Sequence, residues 1–335
     1  MIVNGIELEA LLDQVHTRLA ALLERSDPPL HEYLREVGRS RGKMLRPQLM
    51  IISSELFGKA NQRSVINCAA CCELLHLATL IHDDIIDEAD TRRGQETLNR
   101  RFGNEIAVIV GDYALAIVFR SLLSERDFRV MDMVLGTSQE LGMGEMQEIL
   151  NRNNHRMSSD EYFLVITHKT GALFSLCSRL GAYLGGADQE GVELASAYGQ
   201  QLGIAFQIVD DLLDITADEQ VTGKPSFNDI AEGRMTLPMI HALGSNGQAT
   251  GELIRGVQEN PTPERRLSVR EHLIKTGSLQ FTVEAAKNSL QEARRIAERL
   301  DSLVKHKALL DGYAQLEKRV INAVPVIADA VEERA

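Results

Sequence analysis

At 335 residues the chain is long for one core, and length alone would admit two domains. Apolar residues make up 44% and charged residues 25%, the balance of a soluble globular protein; 36 basic against 48 acidic residues give a formal charge of −12, which argues against non-specific binding of nucleic acid or anionic membrane. Aromatics are 4% and tryptophan is absent, so aromatic platforms for bases or sugars are not expected, and four cysteines point to a reducing, cytoplasmic setting rather than a disulfide framework.

The first residues, MIVNGIELEALLDQV, lack the basic start, apolar run and small-residue cleavage site of a signal peptide. Prolines fall at 28, 29, 47, 225, 238, 261, 263 and 325, and the proline-free stretch between Pro47 and Pro225 is rich in Ala, Leu, Glu and Gln. That composition predicts consecutive helices, punctuated at Gly58 to Asn61, Gly94, Gly103-Asn104, Asn151 to Asn154 and Gly185-Gly186. No linker or low-complexity tract divides the chain, so residues 1–335 read as one all-α domain, with more charged, peripheral helices after about Ser245.

GKMLRP places Lys43 and Arg46 just before Pro47, a residue favoured at the first helical position, and a helix start flanked by cations suits an anion. The segment Ser64 to Asp87 (SVINCAACCELLHLATLIHDDIID) reads as one helix, in which His76, Asp83 and Asp87 fall within about 40° of one another, with Thr79 close by and Asp84 one step round. DTRRG follows with Arg92 and Arg93, whose guanidinium forks match phosphate oxygens. The run Ile106 to Phe119 is too short to cross a bilayer and reads as a buried helix, core and subunit interface. HKTG then offers Lys169 and Thr170. QIVDDLLDI sets Gln207, Asp211 and Asp214 in a second narrow arc beside Asp210, and GKP adds Lys224.

Carboxylates at this density repel one another, more so at a helix C-terminus, and either open solvation or divalent cations relieve them. One DDxxD string is as consistent with a solvated helix end as with a site. Two copies with the same spacing, each after a strongly apolar helix and each followed by cations, favour a diphosphate held by Mg2+ on one side and by Lys and Arg on the other. His76 alone would be a core or capping histidine; its alignment with Asp83 and Asp87 favours the functional reading. Cys68, Cys71 and Cys72 lie within little more than one helical turn, with Cys177 the remaining thiol, and read as small packing residues rather than a zinc knuckle.

GKMLRP, LIHDDIIDEADTRRG, HKTGALF, QIVDDLLDI, GKP and EGRMTLP occur in an order that closely resembles the trans-isoprenyl diphosphate synthases, or polyprenyl synthetase family. The resemblance covers Gly42 to Pro238 and looks closest to the long-chain members, such as octaprenyl diphosphate synthases. It implies a single large helical bundle of the isoprenoid synthase type with a central cavity, usually a homodimer. It also implies that Asp83, Asp84 and Asp87, with Asp210, Asp211 and Asp214, hold about three Mg2+ around an allylic diphosphate, farnesyl or geranylgeranyl diphosphate. Arg92, Lys169 and Lys224 would grip that diphosphate, and Lys43, Arg46, His76 and Arg93 that of isopentenyl diphosphate. Thr170 and Gln207 would face the allylic carbon, where their oxygens stabilise positive charge. The chain departs from the family's GKxxGxDLxxGKxTLP in that Phe227 replaces a Gly and Arg234 a Lys.

The resemblance also implies a channel for the growing chain beside the first Asp helix. Ala78 and Thr79, five and four residues before Asp83, are small, and Ala78, Leu75 and Cys71 share a stripe about 10 Å long, which predicts a product of about six to ten isoprene units. Phe119 and Phe174 are candidates for the bulk that ends the channel. Two other classes compete. A non-catalytic subunit of a heteromeric synthase would usually lack one or both Asp motifs, and a terpene cyclase would not need Lys43, Arg46 and Arg93.

Overall fold

The structure, a computed structural model, describes residues 2–3, 6–24, 28–38, 42–92, 94–216, 227–304 and 307–321. It is all-α: among the described residues the only strands are two two-residue ribbons, Ile2–Val3 with Ile6–Glu7 and Thr91–Arg92 with Gln95–Glu96. The first ten helices are α1 (Leu8–Leu23), α2 (Leu30–Val37), α3 (Leu45–Phe57), α4 (Gln62–Ile86), α5 (Leu98–Phe102), α6 (Asn104–Leu123), α7 (Phe128–Leu150), α8 (Ser159–Ile166), α9 (Ala172–Leu184) and α10 (Gln189–Thr216). Four longer helices follow, Leu237–Glu259, Pro263–Lys275, Ser278–Val304 and Lys307–Ile321. The punctuation residues act as expected. Gly58 closes α3 in the left-handed region (φ 71°), the Asn61 side chain caps α4 by accepting the Arg63 N–H, and Gly186 (φ 86°) follows α9.

Packing divides the chain into two units, Met1–Thr137 with Leu173–Gly199 and Ile296–Ala314, and Ser138–Ala172 with Gln200–Arg295 and Gln315–Ala335. In the first unit α3 is buried on nearly every side, Leu45 to Leu56, including the polar Gln48, Ser53, Ser54 and Glu55. It packs on α4, which packs in turn on α1 and α6. α9 meets α3 at two glycines one turn apart: a Cβ on Gly181 would stand 2.3 Å from the Met50 carbonyl oxygen, and one on Gly185 2.3 Å from that of Ser54. No side chain fits there, and the two backbones touch. The second unit contains α8, the end of α10 and the helical chain from Asn228 to Arg295, with Ile166, Ile208, Leu212, Leu237, Ile254 and Leu273 buried.

Two expectations need correction. Pro47 is the third residue of α3, not its first, because none of the first-turn N–H groups has an intrahelical partner and Pro is tolerated throughout that turn; the first bond runs from Gln48 N–H to Met44 O at 3.0 Å. The apolar run in α6 sits in a longer helix and is not wholly buried. Its helix has 20 residues, enough by length and composition to cross a membrane, and only 39% of its most apolar window is buried, against 72% for α4. Flanking polar residues lengthen the helix beyond the run, and Val108, Ile109 and Leu123 stay exposed.

Candidate active site

In the first unit, α4 carries its carboxylates to its last turn. Asp83 and Asp84 lie inside the helix, and Asp87 is its C-cap, donating its backbone N–H to the Asp83 carbonyl oxygen at 2.8 Å. All three sit at the negative end of the helix dipole. Asp83 and Asp87 are partly exposed on the face shared with His76 and Thr79, whereas Asp84 is buried. The ribbon after α4 turns the chain back, so that Arg92 Nε donates to Asp84 Oδ1 at 2.7 Å. Burial raises the Asp84 carboxyl above the usual range; the Arg92 charge and hydrogen bond oppose this, and Asp87 adds to it. Arg92 is thus brought to the first cluster, and Arg93 lies outside the described residues.

Lys43 is exposed just before α3, and its carbonyl accepts from Gln48 Nε2 at 2.8 Å. Arg46 stacks its guanidinium 4.9 Å from the Phe174 ring centroid. α3 and α4 pack together and are joined by only Gly58 to Asn61, so they run antiparallel. Counting equal rises from that turn, Arg46 comes level with Glu73 to His76, roughly three to four turns short of Asp87. By that count Lys43 and Arg46 come level with the stretch of α4 that carries His76, which stands about two turns before Asp83.

In the second unit the chain between α8 and α9, Thr167–Gly171, is a π-helical turn, a form concentrated at functional sites. It presents Lys169 and Thr170. Lys169 Nζ pairs with Glu145 Oε2 at 2.7 Å and with Glu148, both on α7. Gly144 lets α7 approach the turn closely, since a Cβ there would lie 2.6 Å from the Lys169 backbone nitrogen. Thr170 Oγ1 donates to Gln207 Oε1 at 2.7 Å, Gln207 Nε2 donates to Asp211 Oδ1 at 2.8 Å, and the Tyr162 hydroxyl donates to Asp211 Oδ2 at 2.6 Å. Asp210 is exposed, Asp211 is 5% exposed, and burial pushes the Asp211 carboxyl up to about 7. The Tyr162 and Gln207 bonds work against that rise, and Asp210 and Glu148 with it.

Asp214 accepts the backbone N–H groups of Asn228 (3.1 Å) and Asp229 (3.2 Å), and burial raises its carboxyl too. Asp229, partly buried close to both Asp214 and Asp211, is raised well above the usual range by desolvation first and those charges next. Phe227 starts the short helix Asn228–Ala231 at φ 65°, ψ 30°, the left-handed conformation for which glycine is suited, which accounts for a Gly in the pattern the chain departs from. The Arg234 fork reaches Asp229 at 3.4 Å, Glu232 and, at 4.0 Å, Glu148, three carboxylates that an ammonium would not span. Lys224 lies outside the described residues.

The family model for polyprenyl synthetases matches residues 27–271. The chain belongs to that family. It is 31% identical over 292 residues to the octaprenyl diphosphate synthase of Haemophilus influenzae (86% of this chain, 88% of that one). To the geranylgeranyl diphosphate synthase of Methanosarcina mazei it is 36% identical over 276 residues (81% and 82%). A crystal structure of the Caulobacter crescentus polyprenyl synthase, complexed with calcium and isoprenyl diphosphate, superposes with TM-score 0.82 at 27% identity, covering 94% of each chain.

Against this family frame, sequence reasoning missed Tyr162, Glu145, Glu148 and Asp229. Asp229 stands at the Asp of GKxxGxDL and was legible there; the Glu145 and Glu148 pair, three residues apart on one helix face, was a weaker signal. Tyr162 gave none, since its partner is 49 positions away. Of the chain-length residues, Cys71, Leu75 and Ala78 do share a stripe, and it is sealed: Ala78 is 0% exposed. The stripe faces α6, where the Cys71 thiol meets Ser121 and His82 packs on Gly111. Thr79 is partly open, with Oγ1 bonded to the His76 carbonyl at 2.8 Å. Phe174 is buried beneath Arg46, at the level of the basic group. All four cysteines are buried free thiols; Cys72 bonds Cys177, and burial pushes Cys71 up to about 11, so protonated packing groups are favoured over metal ligands.

Proposed function

We propose that the chain is a trans-prenyltransferase that condenses isopentenyl diphosphate with an allylic diphosphate, farnesyl or geranylgeranyl diphosphate, to build a polyprenyl diphosphate. The observation that carries this reading is the hydrogen-bonded pair Thr170 and Gln207 beside buried Asp211. Their oxygens keep lone pairs that suit a developing carbocation, and the Thr170 hydroxyl is bonded to a neutral amide rather than to a base that would activate it as a nucleophile.

The donor set suits a hard divalent cation. Among the described residues no three carboxylate, His or Cys groups form a ready-made cage. Mg2+ does not need one, because it keeps several waters and takes one or two carboxylates together with substrate phosphates. Burial raises the Asp211 and Asp214 carboxyls above the usual carboxylate range, and a cation beside them would relieve the buried charge. The calcium in the Caulobacter crescentus structure supports the same preference. Asp83, Asp84 and Asp87 with Asp210, Asp211 and Asp214 would hold about three Mg2+, which when bound neutralise the leaving diphosphate.

Arg92 and Lys169, with Lys224, bind the allylic diphosphate. Lys169 exchanges Glu145 and Glu148 for phosphate oxygens, so its charge is already balanced before substrate enters. Lys43, Arg46, His76 and Arg93 orient isopentenyl diphosphate. Once the allylic C–O bond ionises, Thr170 and Gln207 stabilise the cation while the double bond attacks. The departing diphosphate takes the final proton, so no protein base is required.

The relatives' names range from geranylgeranyl to nonaprenyl, so the names alone leave the length open. The small, partly open Thr79, where an aromatic would block the face of α4, supports a long product of roughly six to ten isoprene units. The two units act as one catalytic domain, the open face of α6 (Val108, Ile109) mates two copies into a homodimer, and the enzyme works in the cytoplasm. Incubation with farnesyl diphosphate and Mg2+, with and without labelled isopentenyl diphosphate, tests the activity by mass spectrometry. Elongation supports the reading, while hydrocarbon release points to a cyclase and no turnover to a non-catalytic subunit.

A further inference from the structure

Both oxygens of Asp211 are occupied by side-chain donors, Tyr162 at 2.6 Å and Gln207 at 2.8 Å, and a buried carboxylate held at both oxygens has a single orientation. The bond to Asp211 also decides which way the Gln207 amide faces. Its NH2 group is spent on the carboxylate, which leaves Oε1 for the Thr170 hydroxyl. Turned over, the amide would aim N–H donors at Thr170 and present positive charge where positive charge develops. Tyr162 is well placed to hold this arrangement. It lies in α8, which is pinned at its start by a capping box, Ser158 N–H to Glu161 Oε2 at 2.7 Å and Glu161 N–H to Ser158 Oγ at 3.2 Å, and at its end by the π-helical turn. One short segment therefore carries Tyr162, Lys169 and Thr170. The ring is buried and packs edge-on against Phe163, with centroids 5.6 Å apart, so a phenylalanine would fill the same space without the hydroxyl.

We propose that Tyr162 is a positioning residue for the prenyl transfer: by holding Asp211 in one orientation it turns the Gln207 oxygen toward Thr170 and keeps the second carboxylate cluster ready for divalent metal. The inference rests on the elongation reading above. Partners that hold metal-ligating groups typically contribute 10- to 100-fold to metal affinity or activity, so Tyr162→Phe is expected to lower kcat at least about ten-fold with KM for isopentenyl diphosphate unchanged. Titration of Mn2+ into the full chain with inorganic pyrophosphate, followed by electron paramagnetic resonance, should read about ten-fold weaker metal binding in the variant. Far-UV circular dichroism and the thermal midpoint should stay close to wild type, because the ring remains. A folded variant within about two-fold of wild type in both kcat and metal affinity overturns the proposal. So does a crystal structure of the wild type with pyrophosphate and metal in which the Tyr162 hydroxyl is beyond hydrogen-bond reach of Asp211, a result that needs no variant. If the wild type itself fails to elongate, the elongation reading falls, while the Mn2+ titration still decides whether Tyr162 holds Asp211.

Discussion

Phe227 occupies a backbone conformation that glycine suits, and this allows its side chain and its backbone to be weighed separately. Its φ of 65° and ψ of 30° put Cβ against the following carbonyl, at about 1–2 kcal/mol for an L-residue. The strain is repaid by a ring that is 1% exposed and lies 5.6 Å from the Arg270 guanidinium. Removing such a ring costs about 3–5 kcal/mol, so Phe227→Ala, which keeps the strain, should lose that much. Phe227→Gly loses the ring too but releases the strain, and should be about 1 kcal/mol more stable than the alanine variant. At an ordinary position the order is reversed, with Gly roughly 0.5–1 kcal/mol below Ala. Both variants should fall below wild type. Because the chain has no tryptophan, equilibrium urea unfolding followed by far-UV circular dichroism is the suitable assay. An alanine variant as stable as the glycine variant, or more so, would refute the left-handed assignment. The turn matters to the site because the Phe227 N–H donates to the Asp214 carbonyl at 2.9 Å and leads directly to the Asp229 N–H bond on the Asp214 carboxylate.

Thr79→Phe, on the partly open face of α4, should shorten the product, and an unchanged product mass would count against a channel beside that helix. The same ring at Ala78 has no space under α6, so Ala78→Phe should chiefly cost stability, about 1–3 kcal/mol, visible as a lowered thermal midpoint. Asp211 titrates near 7 in the folded chain against about 3.8 in the open one, so between those values the native state binds more protons than the unfolded state. The metal-free protein should therefore lose the Asp211 contribution to stability as pH rises from about 4 to 7, and Asp211→Asn should flatten that slope in denaturant titrations across this window. For the same reason, uptake of Mg2+ with pyrophosphate near pH 6 should release roughly one proton per site, read as a dependence of the calorimetric heat on buffer ionisation enthalpy; a buffer-independent heat would contradict it. Ile109→Glu, at a position 56% exposed on α6, should convert a dimer to monomer in light scattering without unfolding the chain, and an unaltered mass would remove α6 from the interface.

Much of the site was legible because it is local. Asp83, Asp87, His76 and Thr79 share a face through helical geometry alone, and Thr170 and Gln207, which the family pattern singles out separately, are joined by a 2.7 Å hydrogen bond. The arcs did not show which carboxylates are held. The angular count singled out Asp83 and Asp87 over Asp84, and Asp211 and Asp214 over Asp210, yet it is Asp84 and Asp211 that the fold buries and Asp210 that it leaves exposed. Periodicity gives a residue's angle on its helix but not what packs against that angle. The sealing of Ala78 likewise depends on α6, whose Gly111 lets the His82 ring approach as only a residue without Cβ can.

Proline spacing, apolar periodicity and glycine punctuation, all short-range properties of the backbone, were sufficient to determine an all-α chain and the helices that carry its charged motifs. Tertiary structure alone decided the partners: Arg92 on Asp84, Glu145 and Glu148 around Lys169, Tyr162 on Asp211 and Asp229 beside Asp214. Those contacts join residues up to 49 positions apart, and their energies arise from burial and charge, which exist only once the helices have packed.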